Sequence, residues 1–264
     1  MLRINRLSVS YGEGLAVDQV SLSVEEGQIV GIVGESGSGK STMLRSILGL
    51  SGGTVTGGEI LFQDTDLTGL DRRAMGKIRG KEIAMAFQHP ELSLDPLWKL
   101  GKTFYESIRV HRRISKQEAS AQWRTLCEAL ELKDSERLEQ SYPSQLSGGM
   151  CQRAALAIAV ANGPKLLLAD EPTSALDVTV QKQVMETMME MREKLGMSIL
   201  IVSHNIGVIA AMADMVGVMN HGRLVEWGTK EQVLYAPEHE YTKELIRSVP
   251  RLDGRLPGTG GAEQ

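Results

Sequence analysis

Gly34-Glu35-Ser36-Gly37-Ser38-Gly39-Lys40-Ser41 is the stretch whose residue types could do chemistry. Glycines at this spacing let successive backbone N–H groups close around phosphate oxygens with no Cβ in the way. Lys40 adds a compact positive charge for β- and γ-phosphates, and the Ser41 hydroxyl is a hard oxygen ligand suited to Mg2+. The apolar run Ile29-Val30-Gly31-Ile32-Val33 comes before it, and the helix-like Thr42-Met43-Leu44-Arg45-Ser46-Ile47-Leu48 follows. Strand, glycine loop and helix in that order aim the positive end of a helix at the anion. The spacing predicts a nucleoside triphosphate site.

Other groups could complete such a site. Leu166-Leu167-Leu168-Ala169 predicts a fully buried strand, and Asp170 and Glu171 emerge at its carboxyl end. Beside a phosphate loop, the first carboxylate can hold Mg2+ through water, and the second can orient or deprotonate an attacking water. Gln88 ends the apolar run Ile83-Ala84-Met85-Ala86-Phe87, at the strand end where open α/β sheets bind ligands, although any polar residue can end a strand. Ser147-Gly148-Gly149 resembles a second anion site, although spacing alone favours an ordinary helix N-cap. His204, after Ile199-Leu200-Ile201-Val202-Ser203, is placed either to reach a γ-phosphate or to sit in the core. Tyr11 could stack on a base or pack on the surface.

The elements that must position these groups follow from periodicity. Residues 2–4 and 7–9 predict an opening strand and 20–24 a second, with a turn at Gly12-Glu13-Gly14 between them. Residues 49–58 read as a Gly/Thr-rich connection to a strand at 59–62, and 71–81 as a basic, solvated helix. Residues 99–141 are charge-rich and helical with no strand signal, and Trp98, Phe104, Tyr105 and Trp123 lie at or within them. That texture predicts a helical lobe inserted into a core made of 1–98 and 142–250, with 251–264 as a flexible tail. A helix after Asp177 carries Val180, Val184, Met188, Met191 and Leu195 at core spacing. A strand at 198–202, a helix at 206–212, a hairpin about Asn220-His221-Gly222 and a helix at 231–249 interrupted at Pro237 complete the chain.

Composition narrows the classes. With 264 residues and a net charge of -4, the chain has no global field to draw it onto nucleic acid or anionic lipid. Two cysteines, Cys127 and Cys151, suggest a reducing compartment, with Cys151 as buried packing. Arg3 and Arg6 interrupt the opening apolar positions, so no secretory signal is expected. Residues 195–213 carry no formal charge, but Ser203-His204-Asn205 at their centre predicts strand, turn and helix rather than a membrane span.

Together these residues resemble the ATP-binding subunit of ABC transporters. Gly34 to Ser41, with Thr42, matches the family's Walker A loop, and Gln88 its Q-loop. Leu146-Ser147-Gly148-Gly149-Met150 matches the family signature, and Leu166 to Asp170 with Glu171 the Walker B strand and catalytic glutamate. Ser174-Ala175-Leu176-Asp177 is similar to the D-loop, His204 to the switch histidine and Tyr11 to the adenine-stacking aromatic. Arg79-Gly80-Lys81-Glu82-Ile83-Ala84-Met85, Ser93-Leu94-Asp95-Pro96 and Pro237-Glu238-His239-Glu240-Tyr241-Thr242-Lys243-Glu244-Leu245 resemble the subgroup serving oligopeptide, dipeptide and nickel importers.

The resemblance implies an α/β fold, a P-loop NTPase core of ABC type with an antiparallel β subdomain and an inserted α-helical subdomain. It implies ATP hydrolysis, with Mg2+ held by Ser41, Gln88 and Asp170 and with Glu171, His204 and Gln88 as catalytic groups. A second ATPase subunit, copy or paralogue, would pack head to tail and enclose each ATP between one phosphate loop and the other chain's Ser147-Gly148-Gly149. The helical lobe would grip a cytoplasmic helix of a membrane partner, with two transmembrane permease subunits expected, at the cytoplasmic face of the inner membrane, where the protein would be peripheral. An extracytoplasmic substrate-binding protein would act through the permease, and nucleic acid is not expected as a partner. Import is favoured over export because export subunits often share a chain with their membrane domain. The alternative is a soluble ABC-type ATPase without a transport role, but repair members carry a longer coiled coil than this insert, and translation factors carry two cassettes. A regulatory subunit would be expected to lose Lys40, Glu171 or His204, and all three are present. Three departures stand out: no cysteine follows Cys151 to form the subgroup's cluster resembling an iron–sulfur site, Cys151 replaces a basic residue, and Asn205 replaces an aspartate.

Overall fold

The computed structural model describes residues 1–174 and 176–248, with the side chains of Glu91 and Leu92 excepted. The expected tail at 251–264 lies outside the described residues, as do Ala175, Val249 and Pro250. Strands β1 (Leu2–Tyr11) and β2 (Gly14–Val24) form a hairpin about Gly12 and Glu13. The opening strand expected from residues 2–4 and 7–9 is one strand carrying a bulge between its two apolar stretches. Arg6 and Gln19 take positive φ (45° and 51°), and the ladder bonds lost there are replaced by Ser21 Oγ accepting from Arg6 N–H and Ser8 Oγ accepting from Gln19 N–H. Next come β3 (Ile29–Val33), α1 (Lys40–Ile47), β4 (Thr54–Phe62), β5 (Thr65–Asp66) and α2 (Arg72–Ile78). Strand β4 takes in half of the stretch expected to be a connection, because Thr54 and Val55 pair with Ser10 and Val9 along β1. Tertiary pairing there overrides the weak strand propensity of a glycine-rich segment.

The chain continues through β6 (Ile83–Ala86), α3 (Pro90–Ser93), α4 (Leu100–Arg109), α5 (Lys116–Ala129) and α6 (Ser135–Gln140). After a single 3-10 turn at Pro143–Gln145 come α7 (Gly148–Ala159), β7 (Leu166–Asp170) and α8 (Val178–Leu195). Then follow β8 (Ser198–Ser203), α9 (Ile206–Met212), β9 (Met215–Asn220), β10 (Arg223–Thr229), α10 (Lys230–Tyr235) and α11 (Glu240–Arg247). The uncharged run at 195–213 is thus strand, turn and helix, and no described helix is long and apolar enough to cross a membrane. Phe87, expected inside a buried strand, lies beyond the end of β6 and is 38% exposed.

Two compact units result, one from Met1–Met75 with Ser198 onward, the other from Gly76–Met197. In the first, an antiparallel sheet runs β2-β1-β4-β5. Strand β3 lies between β8 and β9, parallel to both, and β10 pairs antiparallel with β9. All five residues of β3 are buried, as expected for a strand covered on both faces. Gly31 is required there, since a Cβ would lie 2.4 Å from Ile209 Cγ2 on α9. Asp214 fixes the strand's start, accepting from Ile29 N–H and donating its own N–H to Ile29 O, both at 2.8 Å.

In the second unit β6 and β7 pair in parallel from Ile83↔Leu166 to Ala86↔Ala169. Residues 99–141 hold α4, α5 and α6, which share a small core where Phe104 and Trp123 meet edge to face at 5.2 Å. Trp123 Nε1 donates to Ser135 O at 2.9 Å, so the buried indole is satisfied. Val184, Met188 and Met191 of α8 are fully buried and act as core filler.

Candidate nucleotide-binding and catalytic groups

The glycine loop leaves the carboxyl end of β3 and enters α1. Gly34 (φ 152°) and Gly39 (φ 97°) cannot be replaced without collision: a Cβ would lie 2.2 Å from Met219 O at the first and 2.3 Å from Ala16 O at the second. Lys40 is 4% exposed, and its Nζ donates to Gly34 O at 2.8 Å, Glu35 O at 2.7 Å and Ser38 Oγ at 3.3 Å. The α1 N-terminus has Gly39 as N-cap, no side-chain cap and no acid in its first turn. No acid within that first turn offsets its positive dipole end, which favours an anion placed there. Glu35, Ser36 and Gly37 form an exposed rim, while Ser41 and Thr42 are half-buried.

Val33 pairs with Ser203, so the loop and His204 leave the same edge of adjacent strands β3 and β8. His204 is exposed on the bend between β8 and α9. Asn205 caps α9 by accepting from Gly207 N–H at 2.9 Å, so an asparagine performs the cap that an aspartate would. Tyr11 ends β1; its hydroxyl donates to Ser51 O, and its ring would lie 3.2 Å from a Cβ on Gly53 while staying 46% exposed.

In the second unit Ala86 pairs with Ala169, which brings Gln88 and the Asp170-Glu171 pair to the carboxyl ends of neighbouring strands. Asp170 is fully buried at the end of β7. Glu171 takes φ 47°, a left-handed conformation costing a side-chain-bearing residue about 1 kcal/mol. The turn holds it there, with Ser174 N–H and Oγ both donating to Glu171 O at 3.2 Å and 3.0 Å. Nothing in the sequence signals that strain. Ser147 is the N-cap of α7 and accepts from Met150 N–H at 3.3 Å. Gly148 is exposed, whereas Gly149 is buried, where a Cβ would lie 2.1 Å from Val180 Cγ1 on α8. Gln152 Nε2 reaches Phe87 O at 3.5 Å, tying α7 to the segment that carries Gln88.

Among the described residues no group of three or more His, Cys, Asp or Glu side chains could hold a metal ion by itself. The candidate donors Ser41, Gln88 and Asp170 each offer a hydroxyl, carbonyl or carboxylate oxygen, the donor chemistry that suits Mg2+ completed by water and phosphate. Sequence reasoning missed Tyr241 on α11, whose hydroxyl accepts from Glu35 N–H at 3.2 Å. Burial raises the tyrosine's pKa, the Glu35 N–H bond lowers it and the Glu35 carboxylate raises it, leaving it above the ordinary tyrosine value and the hydroxyl neutral.

The ABC transporter profile matches residues 17–174, and the oligopeptide/dipeptide transporter C-terminal region profile matches residues 225–262. A dipeptide transport ATP-binding protein of Lactococcus lactis subsp. cremoris is 41% identical over 98% of this chain and 78% of its own length. An oligopeptide transport ATP-binding protein of Bacillus subtilis is 41% identical over 98% of this chain and 76% of its own. A solved dimeric ATP-binding cassette, bound to ADP and Pi in a post-hydrolysis state, aligns with TM-score 0.76 and 31% identity over 87% of this chain and 99% of that one.

Proposed function

This chain belongs to the ABC transporter family, and from that membership we propose that its ATP hydrolysis powers import of dipeptides or oligopeptides through partner membrane subunits. The observation that carries the cargo assignment is the match of residues 225–262 to the C-terminal region of oligopeptide/dipeptide transporters. Nickel and other metal chelates, carried by the same subgroup, are the secondary cargo.

In this reading Gly34 through Thr42 wrap the triphosphate, Lys40 pairs with its β- and γ-oxygens, and Tyr11 stacks on adenine. Ser41, Gln88 and Asp170 would hold Mg2+, which would supply positive charge to the triphosphate when bound. Glu171 orients the attacking water and draws its proton as the new P–O bond forms and the bond to ADP breaks. The exposed His204 ring hydrogen-bonds the γ-phosphate. Ser147, Gly148 and Gly149 face the γ-phosphate held by a second ATPase subunit, so neither subunit has a complete site alone. Residues 99–141 act as the lobe that grips a cytoplasmic helix of one membrane partner, two permease subunits complete the transporter, and a substrate-binding protein delivers cargo from the other side. Only ATP contacts made in the closed pair can shift the pair toward closure, and hydrolysis removes them.

The test is ATP-driven uptake of labelled peptides by vesicles holding this chain with its permease. Glu171→Gln should retain ATP binding and trap the dimer, while hydrolysis falls by about 100-fold or more. Full hydrolysis in Glu171→Gln, or brisk ATP turnover with neither peptide nor metal-chelate uptake, would count against the assignment.

A further inference from the structure

The Gly34–Glu35 peptide group is gripped from both ends. Its carbonyl, Gly34 O, accepts from Lys40 Nζ at 2.8 Å, and its amide, Glu35 N–H, donates to Tyr241 Oη at 3.2 Å. Gly34 has no side chain to fix the plane of this peptide, and its positive φ of 152° is a conformation that glycine adopts readily. Turning the plane would swing Gly34 O away from the ammonium and leave Lys40 with a poorer set of acceptors.

Tyr241 is itself held firmly. Glu226 on β10 accepts from Glu238 N–H at 2.8 Å and from His239 N–H at 3.2 Å, which fixes the turn ahead of α11. His239 caps the helix by accepting from Tyr241 N–H at 3.2 Å, and the neighbouring Thr242 and Ile246 are 1% and 3% exposed. Tyr241 also falls within the matched C-terminal region, to which nothing above assigns a part in nucleotide binding.

We propose that Tyr241 is a positioning residue for the triphosphate: its hydroxyl sets the tilt of the Gly34–Glu35 peptide and, through Gly34 O, the placement of the Lys40 ammonium. This rests on Gly34 through Thr42 being the ATP site. The C-terminal helix is thereby part of the nucleotide site's support.

The test measures a fluorescent ATP analogue binding to the full chain, KM and kcat for ATP in the assembled transporter, and the thermal midpoint without nucleotide. Tyr241→Phe keeps the ring and removes only the hydroxyl. It should raise Kd and KM about five-fold, the equivalent of about 1 kcal/mol and so of one net hydrogen bond. The kcat should stay within about two-fold and the nucleotide-free midpoint should not move, because the lost bond acts on loop geometry. Glu226→Ala, which frees the turn, should raise KM in the same direction. Unaltered ATP affinity in Tyr241→Phe would overturn the inference alone, as would a lowered midpoint and kcat with KM unchanged. A wild-type chain that binds no ATP would overturn the ATP site and the inference with it.

Discussion

A lysine 4% exposed must have its charge met, and Lys40 meets it with loop oxygens at 2.7–3.3 Å. The same oxygens hold the ammonium where an incoming phosphate would find it, which spares the side chain an ordering cost on binding. Lys40→Ala should weaken ATP binding by about 10- to 100-fold, as expected for a charged hydrogen bond, and abolish turnover; equilibrium binding and phosphate release would measure each. The loop was legible in the sequence because glycine spacing records backbone demands directly, as the collisions at Gly34 and Gly39 make plain. Two neighbouring features were not legible. The left-handed φ of Glu171 leaves no mark on residue type, and Tyr241 joins Glu35 across 206 positions of sequence.

At the level of elements, α7 and α8 lie so close that only glycine fits at position 149. Gly149→Ala should drive the two helices apart, costing about 1–3 kcal/mol of stability and shifting Ser147 at the start of α7. Thermal unfolding and ATPase rate would both report it, and adding Val180→Ala should recover part of each loss because it removes the methyl groups that collide. Strand β8, its turn and α9 could be read from residues 195–213 because a polar turn divides two apolar runs. The start of β4 could not, since only its partner β1 makes a strand of Thr54 and Val55. The strand ahead of Gln88 ends one residue before its apolar run does, because an apolar side chain such as Phe87 need not be a buried one.

Over the molecule as a whole, acidity should act on both compact units. Hydrogen bonds from Thr68 lower the Asp66 pKa, those from Ser115 lower that of Glu118 in the capping box of α5, and Lys243 lowers that of Glu240 at the start of α11. A carboxyl that titrates lower when folded stabilises the fold above its unfolded pKa, and the contribution disappears as pH falls through the lowered value. Urea midpoints should therefore decline on acidification below the ordinary carboxylate range. Glu118→Gln, which can still accept from Ser115 N–H, should show a shallower decline. An identical decline in that variant would remove Glu118 from the account.

The two thiols have a practical consequence. Burial, with the nearby Glu139 charge adding to it, pushes Cys127 up to about 12, and Cys151 is 4% exposed, so both are shielded from alkylation in the folded chain. A cysteine introduced at Val110, 77% exposed at the end of α4, would be the position a maleimide dye reaches first. Energy transfer between labelled copies could then test whether two copies of this chain approach one another, without removing either native thiol.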